Sequence, residues 1–268
     1  MKVSASISRK NPRPRGRAPE TFAAKAEAAS PPIVVLFDID GTLVLTGGAG
    51  GRAMTLAFRE LFAVDDAFHG IPLPGRTDAW ILADAATAHR IPHDSPHLER
   101  FPEVYLHHLA IELDKPGPQK GIMPGVRELL DTLAQRDDVY LALLTGNYEA
   151  AARLKLEHFD LWRYFACGAF GDAAPDRNGL LPKAIARIAA CGGPSVRAVD
   201  AIVIGDTPLD VACAASAGAR SIAVATGNYS VAELRVSGAD VVFADLSDTR
   251  AVLRALTVGD GLELTAES

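Results

Sequence analysis

The sequence predicts an α/β fold, and three observations predict it. Short, nearly continuous apolar runs alternate with segments of helical periodicity, a pattern that places parallel strands under helices on both faces. One interval, 44–122, breaks the alternation and carries helical periodicity only. Turns rich in Asp, Gly and Thr come directly after three of the strand candidates, where an open parallel sheet binds its ligands. The expectation is a doubly wound, Rossmann-like parallel sheet core with an all-helical domain inserted after the first strand.

Near the start, "SRKNPRPRGRAPE" combines basic residues with Pro12, Pro14 and Pro19, which oppose regular helix. Residues 1–30 are therefore expected to be a disordered basic tail. A transit peptide, a phosphate-binding arm and a dispensable extension all fit that composition. The first strand is 33–37, five apolar residues ended by Asp38. Helices are expected at 52–63, 78–88 and 96–112. The glycines of "LTGGAGG" offer a hinge out of the core, and the Pro/Gly-rich "ELDKPGPQKGIMPG" a hinge back. The alternation then resumes, with strands at 139–144, 201–204, 221–225 and 240–243. Helices are expected at 125–135, 148–158, 182–190, 209–217 and 230–237. The domain division expected is a tail at 1–30, a core at 31–46 and 119–268, and a helical domain at 47–118.

Composition narrows the function. The chain has 268 residues, 49% of them apolar and 22% charged, with a net charge of −6. Residues 1–30 hold seven Lys/Arg and two Asp/Glu, a net of +5; the remaining 20 Lys/Arg and 31 Asp/Glu give −11. An acidic body argues against generic nucleic-acid binding, which needs a basic surface. No apolar run approaches the ~20 residues of a membrane span. Cys167, Cys191 and Cys213 are few, odd in number and widely spaced, with no disulfide framework or metal spacing visible. They point to a reducing compartment, the cytoplasm.

The residues that carry chemistry stand at the strand ends. Asp38-Ile39-Asp40-Gly41-Thr42 succeeds the first strand, Thr145-Gly146-Asn147 the second, and Gly205-Asp206-Thr207, then Asp210, a later one. Residues i and i+2 of an extended chain point the same way, so Asp38 and Asp40 face one spot that Asp206 can join. Clustered carboxylates repel one another, and burial raises their pKa values. A hard divalent cation such as Mg²⁺ relieves both costs, with room for waters and a substrate phosphate. An EF-hand reading fails: Gly41 comes too early, position twelve is Ala49, and a strand leads in.

"DIDGTL", "LLTGN" and "VIGDTPLD" resemble the first, second and fourth motifs of the haloacid dehalogenase superfamily, over roughly residues 31–256. The phosphoglycolate phosphatase-like branch is the most similar. The resemblance implies a helical cap where the all-helical insertion is expected. It implies Asp38 as nucleophile, forming an aspartyl-phosphate, and Asp40 as general acid and then base. It implies Mg²⁺ held by Asp38, the Asp40 backbone carbonyl and Asp206, with Asp210 supporting it as a ligand or through its waters. Thr145, Gly146 and Asn147 would take the phosphoryl oxygens of a small phosphorylated metabolite. An aspartate acid has no task when a halide leaves, so Asp40 favours phosphate esters. The same site also suits a sugar-phosphate mutase.

The third motif departs from the family. Its lysine normally sits just before the helix that precedes the fourth motif, but Asn178 to Leu181 contain no cation. Arg177 is the favoured substitute, because it lies on the loop and keeps the charge; Lys183, already inside the helix, is the runner-up. The missing lysine also leaves room for a non-catalytic phosphate-binding relative. In the insertion, Arg76 precedes an N-cap signal at Thr77/Asp78 and could grip the far end of a substrate. His89, His93 and His97 are spaced by four, but Pro92 and Pro96 break the helix that would align them as zinc ligands.

Overall fold

The computed structural model describes residues 32–174 and 176–257; the basic segment at 1–30 lies outside the described residues. The elements in chain order are β1 (Ile33–Phe37), β2 (Val44–Leu45), α1 (Ala49–Phe62), α2 (Asp78–Ala88), α3 (Pro96–Glu112), β3 (Gly121–Ile122), α4 (Val126–Leu133), β4 (Val139–Leu144), α5 (Glu149–His158), β5 (Cys167–Ala169), α6 (Leu180–Ala190), β6 (Ala201–Gly205), α7 (Pro208–Ser216), β7 (Arg220–Val224), α8 (Val231–Val236), β8 (Val241–Phe243) and α9 (Thr249–Thr257).

Six strands form one sheet in the order β5-β4-β1-β6-β7-β8. Every pairing in it is parallel. Alternate residues of each strand separate into two apolar layers. Val35 and Phe37 join Leu141, Leu143, Ile202 and Ile204 against α4, α5 and α9. Val34 and Leu36 join Ala142, Leu144 and Val203 against α6 and α7. Because both faces are covered, the strands read as continuous apolar runs rather than as an alternation.

Several short elements escaped the sequence reading. Strand β5 is Cys-Gly-Ala, with no β-branched residue, and exists because it completes the edge beside β4. Strands β2 and β3 are a two-residue antiparallel ribbon flanking the insertion. Helix α9 buries Val252, Ala255 and Leu256, an amphipathic stripe too short to separate from a loop by pattern alone. Helix α1 starts at Ala49, three residues before the expected 52, because Gly48 at φ 80° opens it.

Helices α1, α2 and α3 build a separate apolar cluster around Phe58, Phe101 and Tyr105. Its apolar contact with the sheet unit runs through α5, where Ala151, Tyr148 and Leu154 pack against it. The chain leaves and re-enters at Gly47 and Gly117, whose backbones touch: a Cβ on Gly47 would lie 2.7 Å from Gly117 Cα. Only glycine allows two connections to cross that closely.

The cysteines are a correction. Cys167 in β5 and Cys191 at the end of α6 are joined as a disulfide, with Cα atoms 6.4 Å apart; Cys213 is free and buried. The sequence separation of 24 residues hid a pairing created by α6 returning along β5. No helix among the described residues is long and apolar enough to cross a membrane.

Leu36 is fully buried under the α6/α7 layer. Leu36→Ala is expected to lower the unfolding free energy by about 2–5 kcal/mol, the range for a buried Leu that leaves a cavity. Urea unfolding of the two proteins, compared at equal m-value, measures it.

Candidate active site

The site sits where the sheet reverses direction. β1 lies between β4 and β6, and the chain builds outward from it on both sides, the switch point at which parallel sheets bind ligands. Phe37 pairs with both Leu143 and Ile204. Register alone therefore brings Asp38, Thr145 and Asp206 to one edge. Asp38 N–H closes the junction by donating to Ile204 O at 2.9 Å. Gly41 then turns the chain at φ 86°, with its missing Cβ overlapping the Asp206 carboxylate. No other residue fits that turn without displacing Asp206.

Asp38, Asp206 and Asp210 are buried and present carboxylate oxygens within 4.8 Å of one another. Arg177, 2% exposed, sits among them. Its Nη2 is 2.9 Å from Asp38 Oδ1 and bonds Asp210 Oδ1, and it donates to Leu144 O at 3.3 Å. Burial pushes Asp38 up to about 6, against the pull of Arg177 and with further upward pressure from Asp210 and Asp40. Burial, then Asp210 and Asp38, raise Asp206 well above the carboxylate range. With all three carboxylates ionised against one guanidinium, the buried cluster would carry a net −2. One divalent cation offsets that charge, and an oxygen-only donor set suits Mg²⁺. Asp206 is the readiest ligand, with a single bond from Thr42 Oγ1 at 3.2 Å. Asp210 is more committed: its second oxygen accepts from Thr207 N–H at 3.0 Å and Thr207 Oγ1 at 2.7 Å in the capping box that starts α7.

Thr145 is fully buried, and its hydroxyl oxygen accepts from Asn147 N–H at 3.3 Å and Nδ2 at 2.8 Å. With both of these bonds accepted, its own O–H remains as a donor. Asn147 Nδ2 also donates to Asp40 Oδ2 at 2.8 Å. A cavity of about 290 Å³ opens over this edge. Its polar floor is Asp38, Asp40, Thr145 and Asp206, and its roof includes Met54, Leu73, Ile81 and Tyr105 of the insertion.

The insertion is tied to the floor. Asp78 N–H donates to Gly146 O at 2.7 Å, and the Asp78 carboxylate accepts Tyr148 N–H at 2.9 Å, so a residue of α2 caps α5. Arg177 Nη1 reaches across to Gly75 O at 3.1 Å. Burial lifts Asp78 to about 7, against the attraction of Lys155.

A family model of haloacid dehalogenase-like hydrolases matches residues 34–218. The chain belongs to the haloacid dehalogenase-like hydrolases. A phosphoglycolate phosphatase of Rhodospirillum rubrum is 30% identical over 224 residues, 81% of this chain and 88% of that protein. The probable phosphatase IndB of Dickeya dadantii is 30% identical over 236 residues, 83% of this chain and 94% of its own. The crystal structure of a predicted phosphatase from Clostridium acetobutylicum has the same fold, with a TM-score of 0.61 at 20% identity, covering 84% of this chain and 100% of that one.

In this haloacid dehalogenase-like hydrolase, the structure brings Asp38, Asp40, Thr145, Gly146, Asn147, Arg177 and Asp206 to one cavity, with Asp210 behind Arg177. It does not bring Lys183 there: that side chain is exposed on α6. Arg76 lines the cavity, but its guanidinium bonds Asp84 at 2.7 Å and Pro72 O at 3.1 Å and lies 3.9 Å over the Trp80 ring. Its charge is thus paired within the insertion at the cavity wall. His89 ends α2 and bonds Ala67 O, while His97 is on α3 against Phe62. The spaced histidines share no helix face.

Sequence reasoning missed Lys155 and the latch of Asp78. The signal for Lys155 was present: Tyr148, Ala151, Ala152, Lys155 and Leu156 fall at i, i+3, i+4, i+7 and i+8, one buried helix face. A lysine on that face needs a partner. Asp78 carried no such mark, since a residue at the start of a helix usually serves that helix.

The raised Asp78 carboxyl gives a pH prediction. A native state that holds its proton up to about 7, against 3.8 for an ordinary Asp, binds more protons than the unfolded chain between those values. Stability contributed by this group is therefore full below about pH 4 and is lost as pH rises through 7. In Asp78→Asn the fall in Tm between pH 5 and 8 should be shallower than in the parent, both measured in the presence of EDTA. Equal slopes would remove Asp78 from the account.

Proposed function

We propose that the chain is a Mg²⁺-dependent phosphatase that hydrolyses a small phosphomonoester through an aspartyl-phosphate, in the manner of a phosphoglycolate phosphatase. The observation that carries it is the convergence of Asp38, Asp206 and Arg177 at the sheet's switch point, with Asp40 one step toward the cavity. The metal, when bound, neutralises carboxylate and phosphate so that two anions can meet. Asp38, Asp206 and the Asp40 carbonyl are assigned as its ligands, with Asp210 beside them. Asp38 attacks phosphorus and becomes the acyl phosphate. Asp40 gives its proton to the departing ester oxygen, then takes one from the water that cleaves the aspartyl-phosphate. The Thr145 hydroxyl and the Gly146 peptide bind phosphoryl oxygens, while Asn147 orients both Thr145 and Asp40. Arg177 supplies the fixed positive charge of the missing lysine and faces the developing charge without moving.

The helical insertion at 47–118 is read as a cap whose apolar roof excludes water from the aspartyl-phosphate. A cavity of about 290 Å³ supports a small leaving group. The acidic body, net −11 outside the first 30 residues, supports a metabolite rather than a nucleic acid as partner.

The test is a phosphate-release screen over small phosphate esters with Mg²⁺ or EDTA, with products identified. Release that requires Mg²⁺, and falls by about four orders of magnitude or more in Asp38→Asn, is the expected result. Isomerised sugar phosphate without free phosphate would make the protein a mutase, and no metal-dependent release from any ester would make it a non-catalytic binder.

The two cations of the third-motif region separate cleanly. Arg177→Ala removes the cation that Asp38 and Asp210 share. It should cost about 3–5 kcal/mol of stability as well as turnover. Lys183→Ala should stay within about 0.5 kcal/mol, as for other exposed positions, with unchanged kcat. Thermal unfolding and steady-state rates on the best ester measure both.

A further inference from the structure

Lys155 is a charged side chain in a place that normally refuses one. It lies on α5 with its side chain 5% exposed, and lysine is almost never buried unless paired. Its partners account for the burial. Nζ is 2.8 and 2.6 Å from the two carboxylate oxygens of Asp40 and 2.6 Å from Asn147 Oδ1. All three ammonium protons are spent on these acceptors, and Lys155 makes no bond to Asp38 or Asp206.

Seen from Asp40, the arrangement is a grip. Among the described residues, hydrogen bonds to its carboxylate come from Lys155 and from Asn147 Nδ2, at 2.8 Å. The carboxylate hangs on the turn after β1 and is 41% exposed toward the cavity. Without those two donors, its side-chain torsions would be free and water would compete for both oxygens. The donors stand on rigid ground: Lys155 is in the second turn of a helix, and Asn147 on the loop that leads into it. The walls hold the ammonium in place too. A Cβ on Gly50 would already lie 3.4 Å from Nζ, and the buried Tyr105 ring closes the same side.

We infer that Lys155 is a positioning residue, whose task is to fix the Asp40 carboxylate for proton transfer to and from the oxygens of the reaction. The inference rests on the acid–base reading of Asp40 given above. A general acid must lie about 2.6–3.2 Å from the oxygen it serves, and a misplacement of about 1 Å can cost roughly 100-fold. The bonds of Lys155 Nζ go to Asp40 and Asn147 rather than to Asp38, Thr145 or Asp206. Its effect is therefore confined to steps in which Asp40 moves a proton.

The experiment compares Lys155→Met, Asp40→Asn and the double variant in the full chain with Mg²⁺. Two substrates are used. One is an alkyl phosphate turned over by the parent; the other is 4-nitrophenyl phosphate, whose leaving group departs as a stable anion with no need of a proton. Lys155→Met should lower kcat on the alkyl ester by about 30- to 300-fold, within the range of acid–base catalysis, with KM within about three-fold. The pre-steady-state burst of nitrophenolate should stay within about three-fold. In the Asp40→Asn background, the lysine substitution should add no further loss beyond that margin. An equal loss in burst and alkyl turnover overturns the proposal, because Lys155 then serves phosphoryl transfer or the fold. A ten-fold rise in KM at unchanged kcat overturns it too, as the mark of a substrate contact. So does a full second loss in the double variant. Should the methionine variant fail to fold, Lys155→Gln, which keeps a donor for one Asp40 oxygen, carries the same three readouts. If Asp40→Asn alone leaves alkyl turnover within a few-fold, the acid–base reading itself falls, a failure distinct from the others because it needs no change at Lys155.

Discussion

The repulsion among Asp38, Asp206 and Asp210 is the constraint on which this protein depends. Three carboxylates share one buried cluster, and their charges are too close to coexist unaided. Arg177 offsets part of that cost and a divalent cation suits the rest. The surroundings are arranged to hold the groups together despite their repulsion. β1 is central in the sheet, so Asp38 cannot recede. Gly41 keeps its backbone against Asp206, and the Thr207–Asp210 capping box fixes Asp210 while starting α7.

The same groups hold the insertion over the site. Arg177 spends one arm on the carboxylates and another on Gly75 O, so the loop before α2 is bonded to the residue that pairs with Asp38. Asp78 makes a second tie, donating its amide to Gly146 and accepting the amide of Tyr148. This second tie lands on the loop that carries Thr145 and Asn147. Roof and floor are coupled by hydrogen bonds rather than by an extensive apolar interface. Their shared apolar surface runs along α5, and the close crossing at Gly47 and Gly117 leaves the connection narrow. The ties amount to three hydrogen bonds, one from Arg177 and two through Asp78, each of modest net worth.

Much of the site was legible in the sequence, because its residues stand at the ends of strands whose apolar runs are unmistakable. Asp38, Thr145 and Asp206 are each the first polar residue after such a run or one step beyond. The elements that were missed are those with little sequence of their own. β5 has three residues, β2 and β3 two each, and they owe their existence to neighbours rather than to propensity. Lys155 was overlooked for a different reason. Its helical spacing put it on a buried face, but lysine on a surface helix is so ordinary that the spacing alone does not draw notice. Arg76 does line the cavity, and only the folded chain shows that Asp84 and Trp80 hold its guanidinium there.

The order of events along the chain is written in the sequence alone: strand, acid pair, helical excursion, return, and further strands each ending in a polar turn. Those features are local, set by periodicities of two and 3.6 residues and by turn chemistry, so they need no knowledge of what lies across the fold. The partners are a matter of the folded chain. Folding buried Arg177 and left Lys183 exposed, although they are six residues apart. It brought Lys155 to Asp40 across 115 positions and Cys167 to Cys191 across 24. Pairing energies depend on distance in space and on exclusion of water, and both are fixed only once the sheet has set its register and the helices have closed over it.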